Sequence, residues 1–204
     1  MLRLTQEWTR RGTRHVLALR LTESLGVDVL DITDDGSERD GEFFTLLGQA
    51  QFLRKLGETD NQVVLRGSMQ WSDDALLSLE QFSVGGMNSV RGYRENQLVR
   101  DIGYLASLEF HYPLFPRSEQ GAILTFVPFV DAGGGRNHDL PGGFEGSSDE
   151  NKTIASAGIG LILRPTKNIS AELYWGHGFT DFEDSDDSNL QDDGLHFRVS
   201  AREF

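Results

Sequence analysis

The stretch VGGMNSVRGYRENQLVR, Val84 to Arg100, decides how the rest of the chain is read. Segments with a two-residue period lie on both sides of it, whereas this stretch sets Gly85, Gly86, Asn88, Ser89 and Gly92 around Arg91 and Tyr93. Glycine reaches backbone conformations and close approaches that other residues resist. Such density around one arginine implies a compact loop tip built to seat against another surface. On spacing alone it reads equally as a glycine-rich surface turn.

Outward from this loop, alternation predicts about nine strands, near residues 2–10, 14–23, 42–56, 61–72, 101–113, 121–132, 153–164, 168–179 and 194–203. In GLHFRVSA, Leu195, Phe197, Val199 and Ala201 share one face, with His196, Arg198 and Ser200 on the other. In NISAELYW, Ile169, Ala171, Leu173 and Trp175 oppose Ser170, Glu172 and Tyr174. In NQVVLRGSMQW, Val63, Leu65, Met69 and Trp71 oppose Gln62, Arg66, Ser68 and Gln70. The connections alternate in length: short at Arg11–Thr13, Gly57–Asp60, Phe115–Glu119 and Pro165–Lys167, long at Ser24–Gly41, Asp73–Arg100, Gly134–Lys152 and Asp181–Asp193. A meander with all its long loops at one end is the plan of an outer-membrane barrel, its short turns periplasmic.

Composition sets limits on function. The mean hydropathy of -0.38 and the 38% hydrophobic content leave no apolar run near the ~20 residues of a membrane helix. Barrel strands, alternating lipid-facing and lumen-facing residues, give only a weak hydropathy signal, so a membrane barrel stays open. The net charge of -13 and pI near 4.7 argue against a nucleic-acid partner. Acidic residues gather at Asp28–Glu42 and Asp181–Asp193, which read as solvated loops; neither run has the spacing of a calcium-binding EF-hand. Cysteine is absent, which excludes disulfides and thiolate metal sites. Met1 leads directly into strand-like LRLTQEW with no secretory leader, so the reading expects a piece of a longer protein.

The loop tetrapeptide Val90, Arg91, Gly92, Tyr93, preceded by Gly85 and Gly86, resembles the signature of the outer-membrane transporters of two-partner secretion. These are the haemolysin secretion/activation proteins, relatives of the outer-membrane barrel-assembly proteins. The resemblance extends through SLEFHYPLF (Ser107–Phe115) and FVDAG (Phe129–Gly133). It implies an all-β fold in which residues 1–204 form the C-terminal portion of a transmembrane β-barrel, without its signal peptide, periplasmic capture modules and earlier strands. Residues 73–100 would be the loop that folds into the lumen. The partners implied are a secreted polypeptide, outer-membrane lipids and the barrel-assembly machinery, with the bacterial outer membrane as location. The chain ends on Phe204, similar to a barrel-assembly signal, yet counting back by twos reaches Arg202, Ser200 and Arg198, the polar face. A bulge near Glu203 would restore the phase.

No enzyme site emerges. His15, His111, His138, His177 and His196 are scattered without a metal-ligand pair, and no nucleophile elbow is present. DAGGGRN, Asp131–Asn137, leads into loop rather than helix, so it reads as a strand end needing close backbone approach. No cofactor is expected. Parity instead directs two acids into the lumen: Asp131, sharing a face with Thr125, and Glu109, sharing one with Ser107 and His111. An extended arm of about ten residues, at about 3.3 Å each, would carry Arg91 roughly 30 Å back into the pore. There a guanidinium forks onto a carboxylate as lysine cannot. In the family the motif resembles, this arginine pairs with the aspartate at the position of Asp131. The function implied is export of a partner polypeptide through a pore wetted by Arg66, Gln70, Glu172 and Arg198. A factor that assembles other barrels, and a passive porin or adhesin barrel, are the alternatives.

Overall fold

The alternating segments form strands because a period of two gives each one an apolar and a polar face. The computed structural model describes residues 1–26, 42–58, 60–115, 123–138, 151–166, 168–180, 182 and 193–202. The strands are β1 (Leu2–Arg11), β2 (His15–Gly26), β3 (Phe43–Lys55), β4 (Gln62–Ser72), β5 (Phe82–Val84), β6 (Leu98–Arg100), β7 (Ile102–Pro113), β8 (Ile123–Arg136), β9 (Lys152–Arg164), β10 (Ile169–Gly178) and β11 (Leu195–Ala201). Nine of them make one antiparallel sheet in the order β1-β2-β3-β4-β7-β8-β9-β10-β11, and β5 and β6 pair separately.

Leu65, Leu108 and Val130 lie side by side in the ladder, all exposed on the outer face. Ile159, Leu161, Leu173, Trp175, Phe197 and Val199 continue that exposed apolar surface across β9 to β11. The inner face is polar. One row carries Arg66, Ser107, Asp131 and Ser156 through consecutive register partners. A sheet that hides polar residues and displays apolar ones is inverted relative to a water-soluble fold, and matches a wall facing lipid outside and a wet lumen inside.

The core sits on that inner face, between the sheet and the segment joining β4 to β7. Phe82, Val84, Val90, Tyr93 and Leu98 of this segment cluster with Ile154 of β9. The segment is not the extended arm expected from its length. β5 and β6 pair antiparallel, Phe82 with Arg100 through Val84 with Leu98, and the tip 85–97 hangs from this short hairpin. Pairing satisfies backbone groups of β5 and β6 where their side chains Phe82, Val84 and Leu98 are buried against the sheet.

Two strand limits also differ from expectation. β8 runs on to Arg136, because Gly133, Gly134 and Gly135 keep their ladder partners on β7 and β9. The β7–β8 connection is longer than the turn read at Phe115–Glu119, since β8 starts at Ile123. The acidic runs Asp28–Glu42 and Asp181–Asp193, apart from Glu42, Phe182 and Asp193, and the terminal Phe204 fall outside the described residues.

Candidate functional site

Each residue of the tetrapeptide at the loop tip has its own seat on the inner wall. Val90 is fully buried beside Gly133, where an added Cβ would come within 3.1 Å of the Val90 side chain and 2.7 Å of Val84. Gly92 has φ +93 and lies backbone to backbone against β10: a Cβ on it would stand 2.9 Å from the Gly176 carbonyl carbon. Both the left-handed φ and the contact exclude a side chain there. Tyr93 packs over Gly178, and its hydroxyl donates to Ala155 O at 2.9 Å while accepting from Thr180 N at 2.9 Å. The ring thereby ties the tip to β9 and to the end of β10.

Arg91 lies at the centre and is only 3% exposed. Its Nε donates to Asp131 Oδ2 and its Nη2 to Asp131 Oδ1, both at 2.8 Å, giving the parallel fork. Its own backbone N–H adds a third bond to Oδ2 at 3.1 Å. Nη1 donates to Glu109 Oε1 at 2.8 Å, and Nη2 also reaches Ser107 Oγ at 3.1 Å. The guanidinium carbon sits 3.6 Å from the centre of the Phe129 ring and 4.8 Å from that of Tyr174. The two rings meet edge to face at 72°, so the cation is held by carboxylates in its plane and aromatic rings beyond it.

Glu109 is shared. Arg66 Nη1 donates to its Oε1 at 2.7 Å, and His111 Nε2 lies 2.7 Å from Oε2. Two arginines thus face two acids, with Asp131 fully buried and Glu109 2% exposed. Burying these charges is costly, and the mutual bonds return that cost only while every partner is in place.

The structure therefore brings together Val90, Arg91, Gly92, Tyr93, Asp131 and Glu109. Sequence reasoning did not reach Phe129, Tyr174, Gly176, Gly178 and His196, the last accepting from Gly92 N at 3.3 Å. Parity did put Tyr174 on the polar face of β10 with Glu172, and could have put Phe129 beside Asp131; no sequence signal connects them to residue 91. Of the residues expected to wet the pore, Gln70 does not: it is buried, and its amide donates to Glu80 O and Asp101 O at the loop's base. Arg198 does stay half-exposed, bonded to Glu172 at 2.9 Å and to Asn88 of the tip at 3.0 Å.

An antiparallel meander with an apolar outer face, and with one loop pinned to its polar inner face, defines the class of outer-membrane β-barrel transporters. The family described as haemolysin secretion/activation protein ShlB/FhaC/HecB matches residues 2–163, so the chain belongs to that family, which serves two-partner secretion. Among solved structures it resembles CdiB from Escherichia coli, with a TM-score of 0.73 and 20% sequence identity over 98% of this chain. The chain spans 36% of the length of that CdiB chain. A search of curated proteins finds no match.

Proposed function

We propose that this chain supplies the loop-bearing wall of a bacterial outer-membrane pore that exports a partner polypeptide. The carrying observation is the seating of the tip: Arg91 is spent on Asp131, Glu109 and Ser107 inside the lumen, which fixes the loop in the path a translocating chain would take. The polar atoms of this cluster bond to one another, the arrangement of a conformational lock rather than of a reaction centre, so the reading assigns no covalent step and no cofactor. The exposed apolar face would contact outer-membrane lipid, and the barrel-assembly machinery would insert the complete protein.

The test is a four-member cycle in the full-length protein: wild type, Arg91→Ala, Asp131→Ala and the double variant. Secreted cargo is normalised to heat-modifiable barrel in the outer membrane. Each single change is expected to lower export while most of the barrel still assembles. The double is expected to cost less than the sum, because both remove one interaction. Normal secretion by both singles, or strictly additive defects, would sink the reading.

A further inference from the structure

A third buried acid lies at the opposite end of the loop, and the Arg91 cluster does not use it. Asp101, 2% exposed, stands between β6 and β7 where the loop rejoins the sheet. Its Oδ1 accepts from Leu76 N at 3.0 Å and from Gln81 Nε2 at 2.8 Å, both near the start of the loop. Its Oδ2 accepts from His138 N at 2.9 Å, just past the end of β8, and its own N–H donates to Asn137 Oδ1 at 3.2 Å. Gln70 of β4 closes the arrangement by donating to Asp101 O at 3.3 Å. One carboxylate thus joins both ends of the loop and the next connection, through donors that are all uncharged. A buried carboxylate left without such bonds is expensive, so burial of Asp101 favours keeping these segments together.

Within the loop, Gly85 (φ 116) and Gly86 (φ 94) follow β5, Gly92 (φ 93) lies in the tip and Asn96 (φ 59) precedes β6. Between them the tip braces itself: Gly86 N donates to Val90 O at 3.2 Å, Gly85 N to Ser89 Oγ at 3.1 Å and Met87 N to Glu95 Oε1 at 2.8 Å.

We propose that the loop is held at two separate points, with Asp101 as the positioning residue of its base and Arg91 that of its tip. Asp101 keeps the base on the rim of the sheet whether or not the tip is seated. This does not depend on what passes through the pore.

The chain has no cysteine, so two single reporters separate the parts: Ala75→Cys, 7% exposed at the base, and Val90→Cys, fully buried at the tip. They are introduced in the full-length protein carrying no other cysteine, and modification by a water-soluble maleimide is timed in folded, heat-modifiable barrel. Asp101→Ala is expected to speed labelling at position 75 by on the order of tenfold or more and leave position 90 at its original rate, as local opening of one unit does. Arg91→Ala is expected to do the reverse. Acceleration at both positions by either change, or at neither by Asp101→Ala, would overturn the proposal. Should Asp101→Ala yield too little folded barrel, Asp101→Ser is timed in its place. It keeps a polar group in the buried space but is too short to reach Leu76, Gln81 and His138 together, and the same pair of rates decides. The labelling needs no cargo, so this proposal can fail while the export reading stands, and the reverse.

Discussion

At the scale of single residues, the tip shows how differently two glycines with the same φ sign are used. Gly57, in the β3–β4 turn, has φ +64 and open space where a Cβ would go. Gly92 has φ +93 and the Gly176 backbone 2.9 Å from the same point. Alanine at 57 is therefore expected to bring only local backbone strain, about 1 kcal/mol. Alanine at 92 is expected to bring that strain and also lift the tip off β10. Protease cleavage within 85–97 of the folded barrel should rise for Gly92→Ala and not for Gly57→Ala; equal cleavage would mean that the contact with Gly176 does not hold the tip. The charges follow a similar asymmetry. Without the Arg91 side chain, Glu109 retains Arg66 and His111, whereas Asp131 loses both guanidinium bonds and keeps only the backbone N–H of residue 91. Breaking a buried pair on one side costs ~3–5 kcal/mol through the stranded charge. Arg91→Ala combined with Asp131→Asn should then regain heat stability relative to Arg91→Ala alone, read as the temperature at which the barrel loses its fast-migrating form.

At the scale of elements, the two faces of a strand obey opposite rules. Leu108 on β7 is 49% exposed on the outer face between Leu65 and Val130. Gln49 on β3 is exposed on the inner face, beside Arg20 and Ser68. A charge facing lipid near the membrane midplane costs about 2–4 kcal/mol, while a lumen-facing charge meets water. Leu108→Arg is expected to cut the amount of folded protein recovered from the outer membrane sharply, and Gln49→Arg to leave it near wild type. Comparable losses would mean that the faces have been assigned the wrong way round. The inner face is graded: β7 to β10 carry the glycines and rings that seat the tip, His196 and Arg198 of β11 bond to it and Gln70 of β4 holds the base, while β1 and β2 carry surface pairs such as Arg20 with Glu7 at 2.6 Å.

At the scale of the whole molecule, hairpin connections place the ends of the strands in two sets. Gly12 and Thr166 lie in turns at the end opposite the one where the loop enters. In full-length protein on intact cells, tags near Gly12 or Thr166 are expected to stay inaccessible. Tags near Gly36 or Ser188, in connections outside the described residues, are expected to be labelled. The opposite pattern would invert the topology and with it the side from which the loop enters.

Much of this architecture was legible in the chain because period-two alternation is a local property. Trp175 and Tyr174 face opposite ways whatever else surrounds them, so strand positions, the inward acids Asp131 and Glu109 and the outward apolar face all followed from counting residues. Loop lengths, equally local, gave the two ends. The β5–β6 hairpin escaped notice because three residue pairs are too few to show a period, and the base of the loop because nothing in the neighbourhood of Asp101 announces that Leu76 and His138 will meet there. The rings around Arg91 were hidden for the same reason: Phe129 and Tyr174 lie 38 and 83 positions away in the chain and come together only through the register of β8, β9 and β10. By itself the sequence determined the nine strands of the large sheet, their faces and the motif at the tip, since each depends on residues a few positions apart. Which wall receives the tip, and which groups surround its arginine, were decided by tertiary structure alone, because those contacts arise only when distant strands have been placed side by side.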